Sequence, residues 1–413
     1  MSKNLNVLLL VNLPQRDLGT DMLIAEHLDH MGHNVHIAPF LPKPRNHIIY
    51  FKPDVVIGPE PRSQFTIDFY AHCMEWGIWT IAKRTEGGTS QGAWDVMGKD
   101  EKDTVIGAWP YKVDFEVVWS EAFAQIVKKH GYGNNLFVAG ALPFDPYFVP
   151  PFYQYDGNRR NLTVAAGWGH ADTNSKYNVP EAPPESSIHG DAYRRHRKGR
   201  EAYIELLNRL NKEFGQTHNL QLRLKVGESP EEYKAKCQFP MRIFNPVPPK
   251  DVLLNTDILV HAGSTMGLEA HICGLPAFSY LGNLNQTEGY TAPEVSPEFG
   301  TLDELVSAIR AVELGKSNAN TQAFSQYQTD LFGKIDGKAT KRTADLIGNL
   351  PKRPVMVPDV WPPERNTYEF PGISKEYRAW VCETCDRQNF TLATDTTMLK
   401  CIHCGISLCL RKG

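Results

Sequence analysis

The stretch ILVHAGSTMGLEAHICGLPAFSY, residues 258–280, runs an apolar strand straight into small polar residues, a glycine and then a helix that carries a glutamate. Ile258 to Val260 read as the strand, Gly263, Ser264 and Thr265 open a short helix, and Gly274 and Pro276 close it. A helix start has unpaired N–H groups and about half a positive charge, so the natural occupant of this loop is an anion, phosphate foremost. Glu269 follows Thr265 by one helical turn, so its carboxylate projects from the same face as the Thr265 hydroxyl and is placed to accept from a sugar hydroxyl. The loop predicts a phosphate and a polyol side by side. An ordinary strand-loop-helix with a capping serine is the plain alternative.

The surrounding chain repeats this strand-helix alternation twice. Strands are predicted at 5–12, 34–38, 54–58, 78–82, 115–120 and 136–140. A helix between the first two has Leu23, Ile24, His27, Leu28 and Met31 on one side and Gly32 just past its end. A second alternation begins at NLTVAAGWG (161–169), continues through LQLRLKVG (220–227) and MRIFNPV (241–247), and reaches the opening stretch. The fold class is therefore α/β, two Rossmann-like doubly wound domains facing a cleft, residues 1–150 and 151–350. The 413 residues suit two such domains plus a smaller module.

Net charge is −3, which excludes a protein that coats nucleic acid or membrane through global charge while leaving room for a local basic patch. The apolar start, Leu5 to Leu13, is soon followed by Arg16 and Asp17, and no run approaches the roughly 20 apolar residues of a spanning helix. These features predict a cytoplasmic protein without a membrane span. Residues 351–375, proline-rich and aperiodic, read as an extended arm. Five of the eight cysteines fall in the last 32 residues. Cys382, Cys385, Cys401 and Cys404 form two CxxC knuckles fifteen residues apart, the spacing of a tetrahedral structural Zn²⁺ site, so residues 376–413 are predicted to be a zinc ribbon. Cys409 is spare, and His403 is read as solvated.

HAGSTMGLEAHICGLP resembles the donor-nucleotide loop of GT-B-fold glycosyltransferases, and VAGALPFDPYF (138–148) resembles the segment that closes their N-terminal domain. NLPQRDLGTDMLIAEHL and RTEGG are similar to stretches of bacterial proteins assigned to surface carbohydrate biosynthesis. The likeness spans roughly residues 5–345 and omits the tail. It implies sugar transfer from a nucleotide sugar, with the acceptor on the N-terminal half and the donor on the C-terminal half. A UDP-sugar is the favoured donor, and CMP- and GDP-sugars stay open.

The residues agree with such chemistry. No Asp-x-Asp is present, so catalysis is expected to be metal-independent and the leaving diphosphate to be met by the N–H groups around Ser264 and Thr265 together with Arg223 and Lys225, which alternate on one strand face. Glu86, in a glycine-rich loop after a strand, is the expected base that takes the acceptor proton, with Asp17 and Asp21 as rivals. His170 and Asp172 in GWGHADT are expected to touch the donor, and Trp168 to pack. YRRHRKGR (193–200) places Arg194, Arg195, Arg197, Lys198 and Arg200 in the densest positive charge of the chain, either a solvated helix start or a grip on a polyanionic acceptor.

That octet and the zinc module tilt the expected acceptor toward a hydroxymethylated pyrimidine in DNA, with DNA as a partner. The competing reading, carried by the family likeness, is a saccharide or lipid-linked acceptor in surface polysaccharide assembly. An epimerase acting on the nucleotide sugar itself, and a non-catalytic binding protein, are the remaining alternatives.

Overall fold

The computed structural model describes residues 4–40, 44–61, 64–84, 112–129, 135–149, 160–168, 171, 188–225, 228–245, 247–282, 296–313 and 326–361, together with four short strands beyond residue 376. The chain divides into two compact units, exchanging between residues 143 and 144 and again between 337 and 338.

The first unit contains β1 (Asn6–Val11), α1 (Pro14–His30), β2 (Asn34–Pro39), α2 (Pro44–Phe51), β3 (Val55–Pro59), α3 (Gln64–Glu75), β4 (Trp79–Lys83), β5 (Phe115–Val118), α4 (Glu121–Lys129) and β6 (Asn135–Val138). Its six strands are parallel in the order β2-β1-β3-β4-β5-β6. Unbroken apolar runs such as Val7 to Val11 and Val55 to Ile57 form these strands because helices cover both faces. Alternate residues then serve opposite cores. Val7, Leu9, Val55 and Ile57 meet Ile24 and Leu28 of α1, while Leu8, Leu10 and Val56 meet Phe69, Tyr70 and Cys73 of α3.

The second unit holds β7 (Arg160–Ala165), α5 (Ile188–Phe214), β8 (His218–Arg223), α6 (Glu231–Lys236), β9 (Arg242–Phe244), α7 (Pro249–Leu253), β10 (Ile258–His261), α8 (Met266–Ile272), β11 (Ala277–Tyr280), β12 (Glu298–Phe299), α9 (Leu302–Glu313) and α10 (Gln326–Phe332). Its parallel order is β12-β11-β10-β7-β8-β9. Leu162, Val164, Leu220, Leu222, Ile258 and Val260 pack with Tyr203, Leu206, Leu207 and Leu210 of α5 and with Leu305 and Ile309 of α9. In both units the chain first builds outward on one side and then crosses back to the other. The strand order therefore reverses between β1 and β3 and between β7 and β10, and ligands of open α/β sheets bind at the carboxyl end of such a reversal.

One sequence expectation differs from the structure. The last helix, α11 (Ala339–Gly348), expected to belong to the C-terminal domain, joins the first unit, where Ala344 and Ile347 share a core with Ile24 and Leu28. The described part of the proline-rich arm, residues 351–361, is bound to the first unit. Trp79 Nε1 donates to the Pro351 carbonyl at 2.8 Å, Arg353 pairs with Asp114 at 3.1 Å, and the Met356 N–H donates to the Trp76 carbonyl at 3.0 Å. Trp361 then stacks on Phe69, ring centroids 5.7 Å apart.

In the tail, β13 (Tyr377–Val381) pairs antiparallel with β14 (Gln388–Leu392), and β15 (Met398–Lys400) with β16 (Ser407–Cys409). Cys382, Cys385, Cys401 and Cys404 lie outside the described residues, as does His403. Among the described residues no helix is long and apolar enough to cross a membrane.

Candidate functional site

In the second unit, the residues that converge come from the carboxyl ends of β8 and β10 and from the turn of 3-10 helix Leu142–Phe148. Arg223 is the last residue of β8. It is half-buried, and its Nε is shielded from solvent with no hydrogen-bond partner among the described residues. Burial works against its charge, and Glu269 is first among the groups that favour it. Glu269 projects from α8, 8% exposed, and its Oε2 accepts the Tyr147 phenol at 2.9 Å. Burial raises the Glu269 carboxyl above the usual range, with the Tyr147 hydrogen bond and Arg223 pulling it back. Burial and Glu269 push the Tyr147 phenol well up, so it stays a donor. A half-buried guanidinium whose Nε has no partner among the described residues, next to a buried carboxyl group, suits an anion joined to a hydroxylated group.

The loop after β10 is used differently from expectation. Gly263 takes a left-handed backbone, φ 57°, which lets the chain turn sharply off the strand. The N–H groups expected to await phosphate are largely taken by side chains. Gly263 donates to Ser279 Oγ at 3.3 Å, Ser264 to His261 Nδ1 at 3.0 Å, and Met266 to Ser264 Oγ at 3.3 Å. Gly263 and Ser264 thus take part in the loop's own bracing. Thr265 remains. It sits at the N-cap position of α8 without a side-chain capping bond, and its N–H has no partner among the described residues. His261, fully buried, has its acceptor nitrogen fixed by Ser264, so Nε2 carries the proton and donates to Ser296 Oγ at 2.5 Å. Burial lowers its pKa to about 3.

Lys225 lies beyond β8, which ends at Arg223 rather than running on to Gly227, and it is exposed. His170 and Asp172 lie outside the described residues. Trp168 packs, as expected, in the second unit's core.

The carboxyl edge of the first sheet is a buried layer of charge. Asp17 and Asp21 on α1, Glu60 after β3, Lys83 ending β4, and Arg84 with Glu116 of β5 are all buried. Lys83 Nζ pairs with Asp21 Oδ1, leaving Oδ2 without a partner among the described residues. Burial raises Asp21 to about 6, opposed by Lys83. Asp17 accepts the Leu13 N–H at 2.9 Å and pairs with Arg16 at 2.6 Å, which closes the first turn of α1. Both rival bases are thus engaged within the protein, and Glu86, the expected base, lies outside the described residues.

The basic octet does not present five cations. It lies within α5, where Arg200 is 1% exposed and 3.3 Å from Glu232, and Arg197 pairs with Glu232 at 2.6 Å. These two, expected as acceptor contacts, form ion pairs within the second unit. Arg194 is half-buried, and Arg195 and Lys198 are exposed. Among the described residues no group of His, Cys, Asp and Glu is arranged to hold a metal ion. Sequence reasoning missed Tyr147, Lys83 and His261. Tyr147 stands inside the quoted PFDPYF segment, and the other two sit at the last position of a strand, where an apolar run gives way to one polar residue.

No protein-family model matches the sequence, and no curated protein does. Among solved structures, the chain is similar to a protein from Listeria monocytogenes assigned as a UDP-N-acetylglucosamine 2-epimerase, with TM-score 0.53 and 12% identity, covering 84% of this chain and 96% of that one. It is similar also to a variant of the wall teichoic acid polymerase TagF, with TM-score 0.51 and 12% identity, covering 84% of this chain and 88% of that one. The fold is of the GT-B type.

Proposed function

We propose that the protein is an enzyme that binds a nucleotide sugar in its second unit and transfers the sugar to a saccharide or lipid-linked acceptor in surface polysaccharide assembly. The observation that carries this reading is the shielded Nε of Arg223, without a partner among the described residues, beside Glu269 at the carboxyl end of a GT-B-type sheet. Arg223 and the N–H and hydroxyl of Thr265 hold the diphosphate, and Glu269 accepts from a sugar hydroxyl. His170, Asp172 and Lys225 complete the donor contacts, and Glu86 takes the acceptor proton. A UDP-sugar remains the favoured donor. The GT-B neighbours, one assigned to a UDP-sugar and one a cell-wall polymerase, support this acceptor class over DNA. The internal pairing of Arg197 and Arg200 offsets two of the five cations that had favoured DNA. Epimerisation of the nucleotide sugar itself is the second reading, supported by the Listeria neighbour.

Zn²⁺ is proposed as a structural ion of the tail, on the spacing of Cys382, Cys385, Cys401 and Cys404, two CxxC pairs fifteen residues apart in the sequence. Four thiolates satisfy the ion and leave no position for chemistry.

Mass spectrometry of products, after mixing the protein with a panel of nucleotide sugars and with saccharide, lipid-linked and DNA acceptors, tests the assignment. A mass increment of one sugar on a saccharide or lipid-linked primer is expected. A sugar on DNA, or an epimerised donor without transfer, would replace the reading.

A further inference from the structure

We infer that Glu228 is a positioning residue that sets the two loops holding the nucleotide sugar, an inference that rests on the donor site proposed above. Glu228 is 2% exposed and lies just before α6. Its Oε2 accepts from two loops at once, the Trp168 N–H after β7 at 3.3 Å and the Lys225 N–H after β8 at 3.2 Å. Its Oε1 accepts the Tyr233 phenol at 2.7 Å and lies 3.8 Å from Arg200. Arg200 in turn donates to the Trp168 carbonyl at 3.4 Å. One carboxylate and one guanidinium therefore hold both the N–H and the C=O of Trp168.

The ring of Trp168 is held as well. It rests against Gly199, where a Cβ would run into the indole, and meets Tyr203 edge-on at 5.3 Å. The Gly199-Arg200 pair of α5 thus receives the Trp168 ring with one residue and its backbone with the next. This accounts for the buried end of the basic octet.

The position of this node gives it a role. β7 and β8 are neighbours in the sheet, and β7 borders the strand-order reversal. Trp168 immediately precedes the segment with His170 and Asp172, and Lys225 follows Arg223 by two residues. Buried ionic groups are costly and add little net stability over apolar packing. An apolar side chain of the same volume, however, has no oxygen with which to join two backbone N–H groups from separate loops. Glu228 fixes the spacing between the loop after β7 and the strand end that carries Arg223.

Glu228→Gln tests this, because a carboxamide has one acceptor oxygen where the carboxylate uses two. Amide hydrogen exchange at Trp168 and Lys225 is expected to quicken about tenfold in the variant. The KM for the nucleotide sugar is expected to rise about tenfold with kcat changed by less than about threefold, since no reacting group is altered. Unchanged exchange at both amides overturns the inference. So does a lowered melting temperature with KM at the wild-type value, which would make Glu228 a packing residue only. Should Glu228→Gln fail to fold, Tyr233→Phe removes a single O–H donor to the same carboxylate and is judged by the same readouts. A wild-type protein that binds no nucleotide sugar would defeat the donor-site reading, while exchange at Trp168 and Lys225 would still decide whether Glu228 joins the two loops.

Discussion

At the scale of single residues, polar groups are held buried where only a ligand or a fixed partner makes them tolerable. Asp21 and Lys83, 0% and 2% exposed, are such a pair. Replacing Asp21 by Asn leaves an ammonium buried without its counter-charge, and removing one member of a buried pair costs about 3–5 kcal/mol. Adding Lys83→Met should recover most of that loss, and urea unfolding midpoints of the single and double variants check it. Glu86→Gln is expected to lower turnover by about two to four orders of magnitude while donor affinity stays near wild type, as for any lost general base. Near-normal turnover would move the base to another carboxylate. The sequence singled out Arg223 as one of two cations alternating along a strand, and Glu269 as a carboxylate one turn into a helix. It hid Tyr147, whose partner Glu269 lies 122 residues away, and it could not show that the Gly263 and Ser264 N–H groups meet Ser279 and His261.

At the scale of elements, the strands were legible because Val- and Leu-rich runs buried on both faces leave little doubt of period. β11 was not among the expected strands; its four residues follow directly on the Gly274–Pro276 turn. For the octet, charge density says nothing of what lies across from a helix, here Glu232 on α6. The β10 loop makes a pH prediction. His261 has its folded-state pKa lowered to about 3 by burial, against about 6.5 when unfolded. Between these values the unfolded chain takes a proton that the folded one refuses, so stability falls as pH drops through that window, by at most about 1.4 kcal/mol per pH unit. His261→Asn should flatten that part of the stability profile, as read from denaturant midpoints between pH 6.5 and the acid limit. A second element, the strap from Pro351 to Trp361, is expected to stabilise the first unit. Trp361→Ala should cost about 2 kcal/mol through lost burial against Phe69 and Trp76, measured by the same unfolding curves.

At the scale of the whole molecule, the two-sheet architecture followed from the repeated strand-helix alternation, and the GT-B type from the loops at its ends. The return of α11 to the first unit was not legible, since an amphipathic helix at the end of a chain can cover either sheet. The cysteine spacing predicts one Zn²⁺ per chain, and elemental analysis of protein purified without chelator should find it, with loss on replacing Cys382 and Cys385 by serine. The account as a whole depends on the second unit binding a nucleotide sugar through Arg223. Titration calorimetry of the full chain with a panel of nucleotide sugars, repeated on Arg223→Ala, tests this most directly. Saturable binding of at least one donor, weakened by about 1.5–3 kcal/mol in the variant, is the predicted result. No binding across the panel, or binding that Arg223→Ala leaves unchanged in a folded protein, would contradict it.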